Sequence, residues 1–390
     1  MLFKPGMGST AAAAAAAGVT YAGQPLQAVD AFVYLGVPFS TSAPFAAAAQ
    51  AIRAQKGRAT VHIMRKRCAD LGVESGDTQR RLFLVIVLPV LTYGAEVWAP
   101  QLIPKSAQQL AGGGSKSERV QLDFLRHLLA SHQSTPNAVL LAESGMLPLW
   151  IRWLEHAARR WNDALAQPDD SLLHLALSSN IALALASPQP QPHKQSWARQ
   201  LHSALAIVGR APDLASPAPI DIADLRTAAL SHHLSLLTAA AARPGASMLS
   251  YYTQQVCGGE LAAEDYASAP YLAAVRRRQH RTALAQIRTG SHWLEEATGR
   301  RQRRARDERT CPHCAQLSPP TTVLEDPSHM ALHCPLYSPL RQQWPELFPH
   351  SPPPTLTSLL QQPAKPLAAF FAACRTLRHP PPSPPATNPS

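Results

Sequence analysis

CPHCAQLSPPTTVLEDPSHMALHC, from Cys311 to Cys334, holds three of the six cysteines of the 390-residue chain, with His329 and His333 among them. Two residues separate Cys311 from Cys314, a spacing that lets one tight turn aim both sulfurs at a single ion. His329 follows after fourteen residues. If PSHMALHC is helical with Ser328 as N-cap, His329 and His333 lie one turn apart on one face. Cys334 then lies roughly 140° further round and reaches the ion only if the helix ends there, which Pro335 favours. Two ligand sets follow: Cys311, Cys314, His329 and Cys334, or Cys311, Cys314, His329 and His333. Either is the closed tetrahedral N/S sphere that zinc prefers, with no position left open for catalysis. His313 lies inside the turn and is the poorest ligand. A segment this small and proline-rich buries little core, so a structural zinc is the expected source of its order.

Upstream, YLAAVRRRQHRTALAQIRTGSHWLEEATGRRQRRARDER (271–309) carries eleven arginines between Arg276 and Arg309 against four acidic residues, a net +7 in a chain whose net charge is +11. Ala274, Leu284, Ile287, Trp293 and Leu294 give it a thin apolar face, and it reads as an Arg-rich helix. Concentrated guanidinium charge suits a polyanion. Arg276, Arg277, Arg278, Arg281, Arg288, Arg300, Arg301, Arg303, Arg304 and Arg306 are the candidate contacts to RNA or DNA. Such contacts go mostly to the backbone and select weakly for sequence.

Outside this region the chain is alanine-rich and poor in strand-forming residues, which favours helices. Residues 1–28 are a low-complexity leader. VDAFVYLGVPFS (29–40) reads as a short strand or hairpin with a turn at Gly36. Helices are expected over 43–71, over SERVQLDFLRHLLAS, and over PLWIRWLEHAARRWNDAL. In the last of these Trp150, Trp153, Leu154, Ala157, Trp161 and Leu165 form one stripe, read as core rather than as a base-stacking platform. Leu82–Trp98 reads as a buried helix broken by Pro89, and GGGSK (112–116) as a flexible insertion. Residues 166–270 form a variable helical connector. PLAAFFAACRTLR gives a last helix through Leu367, Phe370, Phe371, Cys374 and Leu377. The Pro-rich linkers and the end of the chain have the composition of disordered segments. The expected domains are therefore 1–28, 29–165, 166–270, 271–350 and 351–390.

No apolar run approaches the ~20 residues that span a bilayer. Six scattered cysteines do not make a disulfide framework. A reducing compartment, nuclear or cytoplasmic, is expected rather than secretion, with no membrane partner and no small-molecule substrate.

The segments VDAFVYLGVPFS, LPVLTYGAEVWAP, FLRHLLASHQSTPNAVLLAESGMLPL and LAQIRTGSHWL…CPHC…EDPSHMALHCPLYSPLR occur in an order that resembles the C-terminal part of non-LTR (LINE-type) retrotransposon reverse transcriptases. The resemblance covers about residues 19–165 and 271–347. It implies a mainly α fold, with a helical thumb/connector-like region after a short β element and a small zinc-stabilised C-terminal module. Tyr34, Leu35 and Gly36 resemble the primer-grip turn. Pro89, Tyr93, Gly94, Glu96 and Trp98 resemble the thumb-side signature. Cys311, Cys314, His329 and Cys334 resemble the family's CCHC ligands, which favours Cys334 over His333. The aromatic-Ala-Asp-Asp turn that holds the polymerase metal ions has no counterpart here. Asp169, Asp170, Asp221 and Asp224 lie in polar or proline-flanked stretches. The expectation is a truncated reverse-transcriptase-like chain without polymerase activity of its own. A zinc-finger adaptor for protein partners and a decayed product with no activity are the alternatives.

Overall fold

The computed structural model describes residues 20–25, 31–34, 36–40, 44–108, 114–186, 195–245, 247–259, 261–263 and 266–379. They are mainly helical, as expected, with two short antiparallel strand pairs near the start. Two compact units divide the chain. The first comprises Met1–Lys66, Leu82–Gln121 and Leu147–Ser235; the second comprises Arg67–Arg81, Leu122–Met146 and Leu236–Ser390. The 271–350 segment falls whole within the second unit, whereas 29–165 is shared between the two.

In the first unit, Ala31–Tyr34 pairs with Val37–Ser40, Tyr34 opposite Val37. The turn between them needs a left-handed residue, and Gly36 takes φ +76° there. The helix Phe45–Asp70 follows. Its Arg53 is buried, donates to the Gly36 carbonyl, and lies 4.6 Å from the Tyr93 ring centroid. The Leu149–Leu165 helix is the hub of this unit. Ala95–Trp98, Ile103–Gln108, Leu172–Ala186 and Trp197–Ala206 pack around it. Trp150, Trp153 and Trp161 are buried. Trp161 donates to the Ala218 carbonyl at 3.0 Å, and Trp153 meets Trp98 edge-on. The tryptophan stripe is core, and its faces are not available for stacking on bases.

Two local readings are corrected. The helix predicted to break at Pro89 passes through it. Proline supplies no N–H to the preceding turn, and a π turn at Phe83–Val87 takes up the altered register before Leu88–Thr92 continues. The break comes instead at Tyr93, which is extended, and Gly94, at φ +70°. Nor is the segment buried on all sides, since Val85, Ile86, Tyr93 and Val97 are exposed. In GGGSK, residues 112 and 113 lie outside the described residues, but its end is ordered by a capping box. Glu118 N–H donates to Ser115 Oγ at 3.0 Å and Ser115 N–H to Glu118 Oε2 at 3.1 Å, starting Lys116–Leu129.

In the second unit, Ala364–Arg378 lies along Arg278–Arg288. Leu367, Phe370, Phe371 and Cys374 are buried, while Leu377 is exposed. The Arg-rich stretch is not one helix. Tyr271–Ala274, Arg278–Arg288 and Glu295–Arg301 are separated by an extended Val275 and by the 289–294 turn, where Gly290 takes φ +65°. The helix Asn137–Ser144 stops at Gly145, at φ +60°. A Cβ on Gly145 would lie 2.2 Å from the Ser268 nitrogen. Gly145→Ala therefore combines a left-handed penalty with a backbone clash, together about 2–5 kcal/mol. Urea titration checks this, and a loss below about 1 kcal/mol would show that the 266–269 strand of chain yields freely.

Candidate metal centre

The CxxC turn is built by backbone pairing. Cys311 N–H donates to the Val323 carbonyl at 2.8 Å, and Thr321 N–H to the Cys314 carbonyl at 3.0 Å. A single bridge joins Thr310 to Leu324. Both sulfurs are thereby turned toward the segment that follows, and Cys311 and Cys314 are buried.

That segment starts differently from the sequence expectation. Asp326, not Ser328, is the N-cap residue: His329 N–H donates to Asp326 Oδ1 at 2.8 Å, Pro327 occupies the first helical position, and Ser328 is already helical. The Asp-Pro pair is a start signal legible in the sequence. His329–His333 is then a π turn, closed by Cys334 N–H donating to the His329 carbonyl at 2.7 Å. In an α-helix Cys334 would face away from His329. Closing the ring over five residues brings it back above His329. His333 is exposed and stays outside the cluster. Cys334 itself is extended, at φ −63° and ψ 126°, so the turn ends there.

Cys311, Cys314, His329 and Cys334 are all buried, and their ligand atoms lie within 4.8 Å of one another. Cys311 Sγ is 3.9 Å from Cys334 Sγ. Cys314 Sγ is 3.8 Å from Cys334 Sγ and 3.4 Å from His329 Nε2. These are far longer than a disulfide bond, and the cysteines are free. A hydrogen bond shared with Cys334 holds the Cys311 thiol below the usual range, against the effect of burial. That hydrogen bond and burial push Cys334 above the usual thiol range. The four residues can hold a metal ion. His333 and His313 take no part in the cluster.

Residues that the sequence reading passed over support this loop. Arg341 reaches back to the π turn, donating to the Cys334 carbonyl at 2.9 Å, which also accepts from Tyr337 N–H at 3.2 Å. Glu325 is buried, receives Arg378 Nε at 2.9 Å, and accepts from Glu295 N–H at 2.9 Å. Its carbonyl accepts from Glu296 N–H. One carboxylate thus joins the metal loop to the start of Glu295–Arg301 and to the last helix. No spacing pattern marks such a residue, because its partners are distant in sequence.

The ten candidate arginines part into two groups. Arg276, Arg277, Arg278, Arg303 and Arg306 are exposed. Arg281 is buried and donates to the Val275 and Arg276 carbonyls at 3.1 Å. Arg288 pairs with the buried Glu143 at 2.6 Å. Both are therefore corrected from nucleic-acid contacts to internal residues, since Arg281 is buried against backbone carbonyls and Arg288 is committed to Glu143. Arg300 pairs with Glu296, Arg304 with Glu295, and Arg301 donates to the His292 carbonyl. These three are half-buried.

Of the turn residues in the first unit, Tyr34 is exposed, Gly36 forms the hairpin turn, and Leu35 lies outside the described residues. Asp221 accepts from Ala223 N–H and Asp224 N–H at the start of Ile222–Ala241, and Asp224 pairs with Arg210. Asp169 and Asp170 are exposed. Among the described residues no helix is long and apolar enough to cross a membrane. No protein-family model, curated protein or solved structure matches the chain.

Proposed function

We propose that this chain binds RNA or DNA through an arginine-bearing surface braced by a structural zinc, as a reverse-transcriptase-like chain that lacks the catalytic palm. One observation carries the reading. Within a single compact unit, a closed Cys3His cluster is joined by the Thr310–Leu324 bridge and by Glu325 to the segment bearing the exposed Arg303 and Arg306.

Zinc is supported by chemistry and by edge lengths. A tetrahedron with metal–sulfur bonds of ~2.3 Å and a metal–nitrogen bond of ~2.0–2.1 Å has S–S edges of about 3.8 Å and S–N edges of about 3.6 Å. The S–S distances of 3.8 and 3.9 Å and the S–N distance of 3.4 Å lie close to these. Soft thiolates with one imidazole select zinc over magnesium or calcium. All four positions are taken by protein, so the metal's part is structural. When bound, it fixes the loop; the contacts to nucleic acid belong to the guanidiniums.

The family resemblance rests on the sequence segments quoted above. In this reading the chain acts by binding and has no polymerase activity of its own. The test is electrostatic. If Arg276, Arg277, Arg278, Arg303 and Arg306 each neutralise one phosphate, log K against log[salt] falls with a slope of about −4.5 on duplex DNA and about −3.5 on a single strand. Fluorescence anisotropy with the full chain over a range of salt concentrations measures it. A flat profile, or no binding at low salt, would remove the reading.

A further inference from the structure

The first unit holds a cleft of about 570 Å3, within the range of small-ligand sites. The Ala95–Trp98, Leu149–Leu165, Leu172–Ala186 and Trp197–Ala206 helices wall it, with Phe45 at the start of Phe45–Asp70. Trp98, Ala164 and Leu177 are buried beneath it. Phe45, Leu173 and Trp197 are half-buried, and Val97 and Ala176 are exposed, so the surface that a ligand meets is mostly apolar and partly aromatic.

Most of the polar lining is already committed. Trp98 Nε1 donates to the Tyr93 carbonyl at 3.0 Å, and Trp197 Nε1 to the Glu96 carbonyl at 2.8 Å. Asn180 Oδ1 accepts from Trp197 N–H at 3.1 Å, and its Nδ2 donates to the Ala176 carbonyl at 2.9 Å. Gln200 Nε2 donates to the Gln195 carbonyl at 2.9 Å. Glu96 and Arg160 are the charged residues of the lining. Arg160 Nη2 stands 3.9 Å from Glu96 Oε1, too far for a hydrogen bond. Among the described residues neither side chain makes one, and both are reachable, with side chains 42% and 24% exposed. Burial lowers the pKa of His156 beside Glu96, which leaves that imidazole neutral at pH 7. The cleft thus offers one carboxylate and one guanidinium, side by side, on an apolar wall.

A ligand with a carboxylate alone meets Arg160 but is repelled by Glu96, and one with an ammonium alone meets the reverse. A ligand that bears both charges on one carbon satisfies both groups. We infer that this cleft binds a free aromatic α-amino acid, its carboxylate on Arg160, its ammonium on Glu96 and its side chain against Phe45, Leu173 and Trp197. The site lies in the first unit and does not depend on the arginines of the second.

Ligand-detected NMR titrations of the full chain test this with four probes: L-tryptophan, tryptamine, which lacks the carboxylate, indole-3-propionate, which lacks the ammonium, and L-alanine, which lacks the ring. L-tryptophan binds with a Kd of about 1 mM or tighter. Tryptamine and indole-3-propionate bind about tenfold more weakly, the size of one partly exposed charged contact. L-alanine is also weaker by at least about tenfold, because it buries no ring. Arg160→Gln weakens L-tryptophan about tenfold and leaves tryptamine unchanged, whereas Glu96→Gln weakens L-tryptophan equally and leaves indole-3-propionate unchanged. Ala176→Trp, at an exposed position of the wall, abolishes binding of L-tryptophan, and urea titration confirms that each variant is folded. L-tryptophan binding weaker than about 1 mM to the unmodified chain overturns the site. Equal affinity for L-tryptophan and either singly charged probe overturns the charge pair, and equal affinity for L-alanine overturns the apolar wall. These comparisons need no variant. Binding that survives Ala176→Trp lies elsewhere and also overturns the proposal. Each such outcome leaves the nucleic-acid reading as it stands.

Discussion

If the proposed zinc occupies the Cys3His cluster, Cys334→Ser loses it together with the order of residues 311–347, whereas His333→Ala keeps both. The difference is large because a structural zinc contributes on the order of 10–16 kcal/mol of apparent binding energy in small modules. Cys334 closes the ligand set from a π turn held by its own N–H on the His329 carbonyl, so serine there leaves three ligands and a weaker fourth donor. His333 is exposed and outside the cluster, so its imidazole can be removed without touching the ion. Metal analysis of the purified full-length variants reads the first effect. Limited proteolysis around 311–334 reads the second. Zinc retained at one equivalent in Cys334→Ser and lost in His333→Ala would make the ligand set His329 with His333. A chain that holds no zinc, but keeps residues 311–347 protected from protease, would make the four residues an ordinary buried cluster.

The second large effect belongs to the pair Glu143–Arg288. Glu143 is fully buried, at 0% side-chain exposure, and takes Arg288 Nε at 2.6 Å and Nη2 at 3.2 Å. The Tyr252 hydroxyl donates to the same carboxylate at 3.0 Å. Burial works against the charge on Arg288, but Glu143 more than offsets it and raises the guanidinium's pKa. Removing either partner strands a buried charge, so Glu143→Leu or Arg288→Leu costs about 3–5 kcal/mol. The double replacement by Leu recovers much of that loss, because the two desolvation penalties vanish together. Urea unfolding of the four proteins gives the coupling energy. Single variants that lose less than about 1 kcal/mol each, and add without coupling, would show the pair to be solvated.

Arg288 also shows where sequence reading reached its limit. It sits in the same run of basic residues as Arg276, Arg277 and Arg278, and nothing local separates it from them. Its partner Glu143 is 145 residues away. Composition reports how many guanidiniums there are, but only the folded chain decides which of them meet a buried acceptor. Arg281 lies three residues after the exposed Arg278. The helix Arg278–Arg288 turns it inward onto the carbonyls of the 275–276 turn. The electrostatic surface is accordingly smaller than the charge count suggests, about half of the ten arginines first considered.

Much else was local and therefore legible. The Gly36 turn, the amphipathic Lys116–Leu129 and Leu149–Leu165 helices, and the last helix through Phe370 and Phe371 follow from side-chain period and turn chemistry, which a few residues carry. So does the capping box at Ser115 and Glu118, and so does the Asp326–Pro327 start, although Ser328 was the nearer-looking cap.

Spacing alone brought Cys311, Cys314 and His329 to one ion and left His333 and Cys334 as equal claimants, because an α-helical count favours the first and a helix ending favours the second. The difference of one hydrogen-bond register, i→i+5 in place of i→i+4, decided for Cys334. That register is set by what surrounds the turn: the Asp326 cap at one end and the Arg341 guanidinium on its carbonyls at the other. Ligand types and their separations are properties of the chain as written. Which of them converge and which arginines stay outside depend on contacts between distant segments, and these exist only once the second unit has folded.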